Sequence, residues 1–360
     1  MKAKRKYGFE PDYAVPPGAT LKETIESLDM SQAELAKRTD LTVQTINRII
    51  KGDQPITFDT ANRLELVTGV PARFWNNLES NFQEQKARLK ELDALQKDIE
   101  WLKTIPTKEL IERGEIKPQQ NKILLLRETL GFYGVNSVSA WHHVWDEPAV
   151  AARRSLCFES QPGPASAWIR MGERQAQKID CAPHDATMFR EALAEIRAAT
   201  TAEPEEFVTL MRDRCAAAGV AVVFVPEMKK VPWNGATEWL SPDKAMILMN
   251  LRGKYEDKFW FSFFHEAGHV LHDNKKCVLI NDGSVDDPRE VRANDFAASF
   301  LIPSEWDEAI AHVKSAADIR RLAKQIGVSP GIVTGRYQRL TGNWGYFKGT
   351  IRKLAWKTAA

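Results

Sequence analysis

The spacing of apolar and polar positions changes along the chain, and the changes divide it into segments. Residues 20–78 alternate short helical patterns with polar turns. Residues 79–103 are charged, with Leu89, Leu92, Leu95, Ile99 and Leu102 near helical spacing, which predicts one helix acting as a spacer or a dimerising element. Residues 106–118 read as a connector, and residues 1–17, with Pro11, Pro16 and Pro17, as an extended arm. Helical patterns follow over 122–130, 138–144 and 165–179, interrupted by Ser160-Gln161-Pro162-Gly163-Pro164. After helices over 186–197 and 205–218, the run from Val220 to Val225 is β-branched and bounded by Gly219 and Pro226, the pattern of a buried strand. A second strand is expected over 245–250 and helices over 259–272 and 289–302, the latter stopped by Pro303. Two more helical stretches lie between residues 316 and 340, broken at 327–330. There is no internal repeat.

A chain of 360 residues implies two or three folded units. With 43% hydrophobic and 27% charged residues it can bury real cores, which excludes a wholly disordered chain. Eleven tryptophans favour large packed cores or an aromatic binding surface. The net charge is only +2, and acidic and basic residues balance over residues 1–103, so any nucleic-acid binding must come from a local basic face. Cys157, Cys181, Cys215 and Cys277 form no CxxC pair, which argues against a cysteine-zinc site and a disulfide framework. The basic start is followed by Tyr7-Gly8-Phe9-Glu10-Pro11 and not by an apolar stretch, so no secretion signal is expected. No uncharged apolar run reaches about 18 residues, so no membrane contact is expected and the compartment is read as the cytoplasm.

His265-Glu266-Ala267-Gly268-His269 lies in a helical segment. Residues four apart share a helix face, so both imidazoles can reach one ion while Glu266 takes a proton from water held there. Such a site needs a third protein ligand and one open position. A histidine six residues past His269 is excluded, because Lys275 stands there. Glu290 is the stronger candidate, with Asn294 four residues on to orient a ligand; Asp286 and Asp287, in a loop before Pro288, are the alternatives. His272 is placed either beside the ligands or at the edge of the site. The pair His142-His143, flanked by Trp141 and Trp145, reads as part of a packed or exposed helix.

These residues resemble the ImmA/IrrE-type metallopeptidases, in which an aromatic-flanked HExGH helix is followed by E-x-x-A-N-x-F-A-A and a terminal Pro, matched here from Glu290 to Pro303. The strand Met246-Ile247-Leu248-Met249-Asn250 precedes the motif in the family's order. Several members carry a second acidic residue where this chain has Arg292, which leaves Glu290 as the carboxylate ligand. The resemblance implies Zn2+ held by His265, His269 and Glu290, with Glu266 catalytic; Asn294 is expected to support a ligand from its spacing alone, and His272 stays open between a supporting group and a residue at the edge of the site.

Near the N-terminus, Ser31-Gln32-Ala33-Glu34 has the form of a capping box that opens a helix, and Ala33 and Ala36 would admit a second helix closely. A turn through Asp40 leads to Thr42 as the cap of a helix from Val43 to Lys51, ended by Gly52. Two short helices so joined form a helix-turn-helix. Ile46, Ile49 and Ile50 are the inward positions; Thr42, Gln44, Thr45 and Arg48 face outward, where Gln and Arg read base edges and Thr holds phosphate.

Residues 18–80 resemble the HigA-type antitoxins of the Cro/λ-repressor class. The residues concerned are Pro17-Gly18, Ser31-Gln32, the run from Thr57 to Leu64, and Phe74-Trp75 with Asn77-Leu78. That resemblance places Gln32 on phosphate and Val43, Gln44 and Arg48 toward bases, with Val43 against a thymine methyl. Phe158-Glu159-Ser160 and residues 167–173 are similar to long regulators that fuse two such domains. The expected fold is an all-α helix-turn-helix domain (18–80), a helical middle (81–180) and an α+β zincin-like metallopeptidase domain (181–345). The expected function is a homodimeric transcriptional regulator that binds double-stranded operator DNA and carries a zinc endopeptidase. The rival readings are an antitoxin whose C-terminal domain holds a toxin or senses metal, and a peptidase that cleaves a separate repressor.

Overall fold

The computed structural model describes residues 13–145, 162–273, 279–280 and 287–356. The chain divides into two compact units between Ile99 and Glu100.

The first unit is all helical: α1 (Pro17–Ser27), α2 (Gln32–Thr39), α3 (Val43–Lys51), α4 (Phe58–Thr68) and α5 (Ala72–Gln96). Its core gathers Leu21, Ile25, Leu35, Ala36, Ile46, Ile49, Leu64 and Trp75. Gly18 allows α1 to lie on α3, since a Cβ there would sit 2.1 Å from the Ile49 carbonyl oxygen. α5 starts at Ala72 and runs 25 residues, so the helix expected from residue 79 begins nearly two turns earlier. It also stops sooner: Gln96 ends it, and a separate 3₁₀ turn covers Ile99–Lys103.

The second unit is mixed. Its first helices are α6 (Thr107–Glu112), α7 (Lys122–Tyr133), α8 (Val138–Trp145), α9 (Pro162–Ala176), α10 (Ala186–Ala198) and α11 (Pro204–Ala217). α6 lies in the stretch expected to be a plain connector, where Leu110 is fully buried and anchors the short helix. The strands are β1 (Val220–Phe224), β2 (Gly235–Ser241), β3 (Lys244–Met249) and β4 (Leu279–Ile280), in sheet order β1-β3-β2-β4. β1 runs parallel to β3, with Val222 opposite Ile247, and β2 is antiparallel to both β3 and β4. β2 was not expected from the pattern; it places Thr237 opposite Ile247.

Every residue of β3 after Lys244 is buried because helices cover both faces of the sheet. α9 covers one face, where a Cβ on Gly172 would reach within 2.8 Å of the Leu248 side chain. On the other face, α12 (Glu256–His272) joins Val220, Val222, Ala245, Ile247 and Met249 through Trp260, Phe263, Phe264 and Ala267. α13 (Pro288–Leu301), α14 (Asp307–Ala311), α15 (Ala316–Ile326) and α16 (Pro330–Thr341) complete the unit. Among the described residues no helix is long and apolar enough to cross a membrane.

Candidate metal centre and DNA-reading helix

α12 is apolar nearly all round, as a helix through a core must be, yet it carries three polar side chains with no solvent exposure: His265, Glu266 and His269. A buried polar group must find a partner, and these find α13 and β2. Gly268 opens the way for α13, since a Cβ there would lie 3.2 Å from the Ala293 Cα and 3.1 Å from Phe296. Ala293 and Ala297, buried on the facing helix, keep the approach close. The result brings the first turn of α13, and Glu290 with it, over the imidazoles.

The two Nε2 atoms lie 3.0 Å apart, and each is 3.2 Å from one oxygen of Glu290. Among the described residues this is the one group of three or more His, Cys, Asp or Glu arranged to hold a metal ion. The outer nitrogens are committed elsewhere: His265 Nδ1 lies 3.0 Å from Asn294 Oδ1 and His269 Nδ1 lies 2.7 Å from Asp273 Oδ2. If both Nδ1 atoms donate, both Nε2 lone pairs face the centre, the tautomer a metal requires. Asp273 is held in turn by Arg292 at 2.5 Å. Asp287 is engaged elsewhere: its carboxylate accepts from the backbone N–H of Arg289, capping α13, and pairs with the Arg289 guanidinium. Asp286 lies outside the described residues.

The electrostatics fit a site made for positive charge. Burial resists protonation of His269, but its hydrogen bonds to Asp273 and Glu290 and the nearby Glu266 raise its pKa to about 9. Burial likewise opposes the charged form of Glu290, yet the two histidines bring it down to about 2. Glu266 moves the other way: burial pushes it above the usual carboxylate range despite His265, His269 and Thr237. Its Oε2 accepts from the Thr237 hydroxyl at 2.7 Å, while its buried Oε1 has no hydrogen-bond partner. Gly235 leaves room for this carboxylate, since a Cβ there would come within 2.6 Å of Oε1.

His272 stands apart. It is exposed and lies edge-on to Phe296 at 5.4 Å, and its pKa is lowered by what burial it has and by Arg190. His142 and His143 are exposed on α8, between buried Trp141 and Trp145. Sequence reasoning missed Asp273, Thr237 and Gly235. The four-residue step from His269 to Asp273 was a usable signal; the other two depend on β2.

In the first unit, Ser31 accepts from the Glu34 N–H at 3.2 Å, but the Glu34 carboxylate turns to Arg38, so only half of a capping box forms. Ala33 is exposed and Ala36 alone packs inward. Asp40 takes the left-handed turn, φ 54°, and Thr42 caps α3 by accepting from the Thr45 N–H at 3.0 Å. Thr42, Val43, Gln44 and Arg48 are exposed, whereas Thr45 and Gln32 are half-buried. The Thr45 hydroxyl lies 2.9 Å from that of Thr42, which ties it to the cap. Ile46 and Ile49 are buried and Ile50 partly so.

Residues 21–75 match the helix-turn-helix family, and residues 218–337 match the peptidase family of the IrrE N-terminal-like domain. The chain joins a helix-turn-helix domain to an IrrE-like domain. No curated protein matches it. Among solved structures it is similar to the Pseudomonas aeruginosa antitoxin HigA with the higBA promoter, at 32% identity over 21% of this chain and 83% of that one, TM-score 0.20. A second Pseudomonas aeruginosa protein, solved in complex with its operator DNA, has 32% identity over 21% of this chain and 82% of that one, TM-score 0.20. A HigA-family addiction-module antidote protein from Coxiella burnetii has 33% identity over 23% of this chain and 92% of that one, TM-score 0.22.

Proposed function

We propose that this chain is a transcriptional regulator that binds operator DNA through α3 and cleaves peptides with a zinc-dependent site on α12 and α13. The observation that carries the peptidase half is the convergence of His265, His269 and Glu290 beside a buried Glu266 with one unpartnered oxygen. Two imidazoles and a carboxylate suit zinc with one position left open. Zinc, when bound, would lower the pKa of water toward neutrality and polarise a peptide carbonyl. The protein's own part follows from its geometry. Thr237 occupies Glu266 Oε2, so Oε1 is the atom that receives the proton, and burial tunes that carboxylate upward as a base. Asn294 and Asp273 orient the imidazoles by their Nδ1 atoms. The test is metal analysis of the full chain with cleavage of a fluorogenic peptide library. Roughly one zinc per chain, lost in Glu290→Ala, supports the site; a chain that takes up no zinc sinks it.

For DNA, the proposed readers are Val43, Gln44 and Arg48 on the exposed face of α3, with Gln32 and Thr42 on phosphate. Thr45, turned to its cap, contributes less to reading bases than its helix position suggested. A helix of nine residues reads few base pairs, so the chain would bind as a homodimer to two half-sites. Its place of action would then be the cytoplasm.

A further inference from the structure

A cavity of about 430 Å³ opens beside the candidate metal centre, between α12, α13 and α16. Two of its walls belong to the site. Asn294 lines it and also binds His265, and Phe261 lines it with its ring 6.4 Å from the His265 ring. A peptide lying across the metal ligands would therefore have this groove next to it. The lining is mostly apolar, from Phe261, Ala298, Leu301, Ile332 and the exposed Trp344, with Asn234 and Ser262 as polar interruptions. Its volume admits a large side chain, an aromatic ring included, with room left beside it.

The rim is charged. Arg336 is already neutralised by two hydrogen bonds to Asp307, at 2.7 and 2.8 Å. Arg339 is different: it is exposed, its guanidinium stands 5.9 Å over the Phe261 ring, and it has no ion pair among the described residues. Lys258 adds a second positive charge at the same rim. Asp257, half-buried, also lines the groove.

We propose that this groove takes a large apolar, preferably aromatic, side chain of an extended peptide, and that Arg339 binds a carboxylate on the adjacent residue. This rests on the peptidase reading above and adds the class of substrate. Such a pocket discriminates by filling: an empty groove loses the burial of the ring, which is worth about 10-fold or more in affinity.

The experiment uses the full chain loaded with zinc and carrying Glu266→Gln, so that bound peptide is not consumed. The probe is a fluorescein-labelled Ala-Ala-Phe-Glu-Ala-Ala amide, compared by anisotropy with versions bearing Ala for Phe or Lys for Glu. The Phe-Glu peptide should bind about 10-fold tighter than either. Adding Ala298→Phe fills the groove and should erase the preference for Phe. Adding Arg339→Glu, a change on an exposed side chain, should reverse the preference for Glu over Lys. Equal binding of all three peptides overturns the proposal, as does unchanged discrimination by folded, zinc-loaded Ala298→Phe and Arg339→Glu. The chain with Glu266 intact separates the two claims. If it cleaves nothing while discrimination persists, the hydrolytic reading fails and the groove stands. If it cleaves Phe-Glu and Ala-Glu peptides at equal rates, hydrolysis stands and the groove assignment fails.

Discussion

α3 and α12 carry their chemistry in opposite ways. α3 is short, capped at both ends, and presents Val43, Gln44 and Arg48 to solvent over a buried Ile46 and Ile49. Fold and function occupy separate faces, so its outward residues can change at little cost to stability. α12 is immersed in its domain, and His265, Glu266 and His269 are fully buried within the same packing that holds the sheet. There fold and function share side chains. The contrast predicts that variants of α3 alter binding alone, whereas variants of α12 and its supports alter chemistry, metal and stability in separable proportions.

The largest expected effect is Glu266→Gln. The amide cannot take the proton, so hydrolysis should fall by at least about 10²- to 10⁴-fold, while zinc content stays near one per chain. The fold should survive because Gln keeps the shape that Gly235 accommodates and still accepts from Thr237. Steady-state kinetics beside metal analysis checks this, and an unchanged rate would take Glu266 out of the mechanism.

The second effect is pH-dependent and belongs to the metal-free chain. The pKa of His269, raised to about 9 in the folded state, lies above the ordinary 6.5. The stability it contributes is therefore complete below pH 6.5 and is lost as pH rises through about 9. Its size is on the order of 3 kcal/mol. Thermal melts in chelator should fall in Tm from pH 6.5 to 9.5. With zinc bound the trend should weaken or reverse, because the ion replaces that proton and binds more tightly as pH rises. Parallel melts with and without chelator that fall equally would contradict the shared site.

Third comes Asp273→Asn, which keeps size but removes the charge that Arg292 and His269 hold. Zinc affinity should drop about 10- to 100-fold. Competition with a chromophoric chelator measures it, and an affinity equal to the parent's would make Asp273 a bystander.

How much of this was legible beforehand also divides along the comparison. α3 was plain because its signals are local: Thr42 and Gly52 punctuate it and the isoleucines recur at helical spacing. The α12 motif was equally visible, since His265 and His269 are one turn apart. What surrounds α12 was not visible, because those contacts span tens of residues. Thr237 reaches Glu266 from β2, a strand whose central Thr-Glu-Trp mixes polar and apolar residues and gives no clean alternation. The burial of α9 against β3 depends on the bare backbone at Gly172 facing Leu248, a long-range fit that helical spacing alone does not show. The early start of α5 has a similar cause: Trp75 is fully buried in the first unit's core and draws residues 72–78 into the helix.

The fourth prediction tests separability on α3. Arg48 is exposed, so Arg48→Ala should change stability by no more than about 0.5 kcal/mol, yet cost about 1–3 kcal/mol of discrimination at one base position. Gln32→Ala should weaken all sequences alike. A binding series on the chain's own promoter at fixed salt distinguishes them; unchanged affinity and preference in Arg48→Ala would exclude α3 as the reader.

The smallest effect sharpens the same point at the helix start, where fold and function do meet. Thr42 accepts the Thr45 N–H at 3.0 Å and its hydroxyl lies 2.9 Å from that of Thr45, so one exposed side chain both caps α3 and orders its neighbour. Thr42→Ala should cost about 1 kcal/mol of stability and free the Thr45 hydroxyl. Thr42→Ser retains an accepting oxygen and should restore most of that loss. If the cap is the whole role, DNA binding follows stability and both variants bind as their Tm values dictate. If Thr42 also holds phosphate, Thr42→Ala should lose affinity on every sequence well below its own melting temperature, and Thr42→Ser should recover it. Melts and binding isotherms on this pair of variants, read together, decide whether the division between fold and function on α3 extends to its first residue.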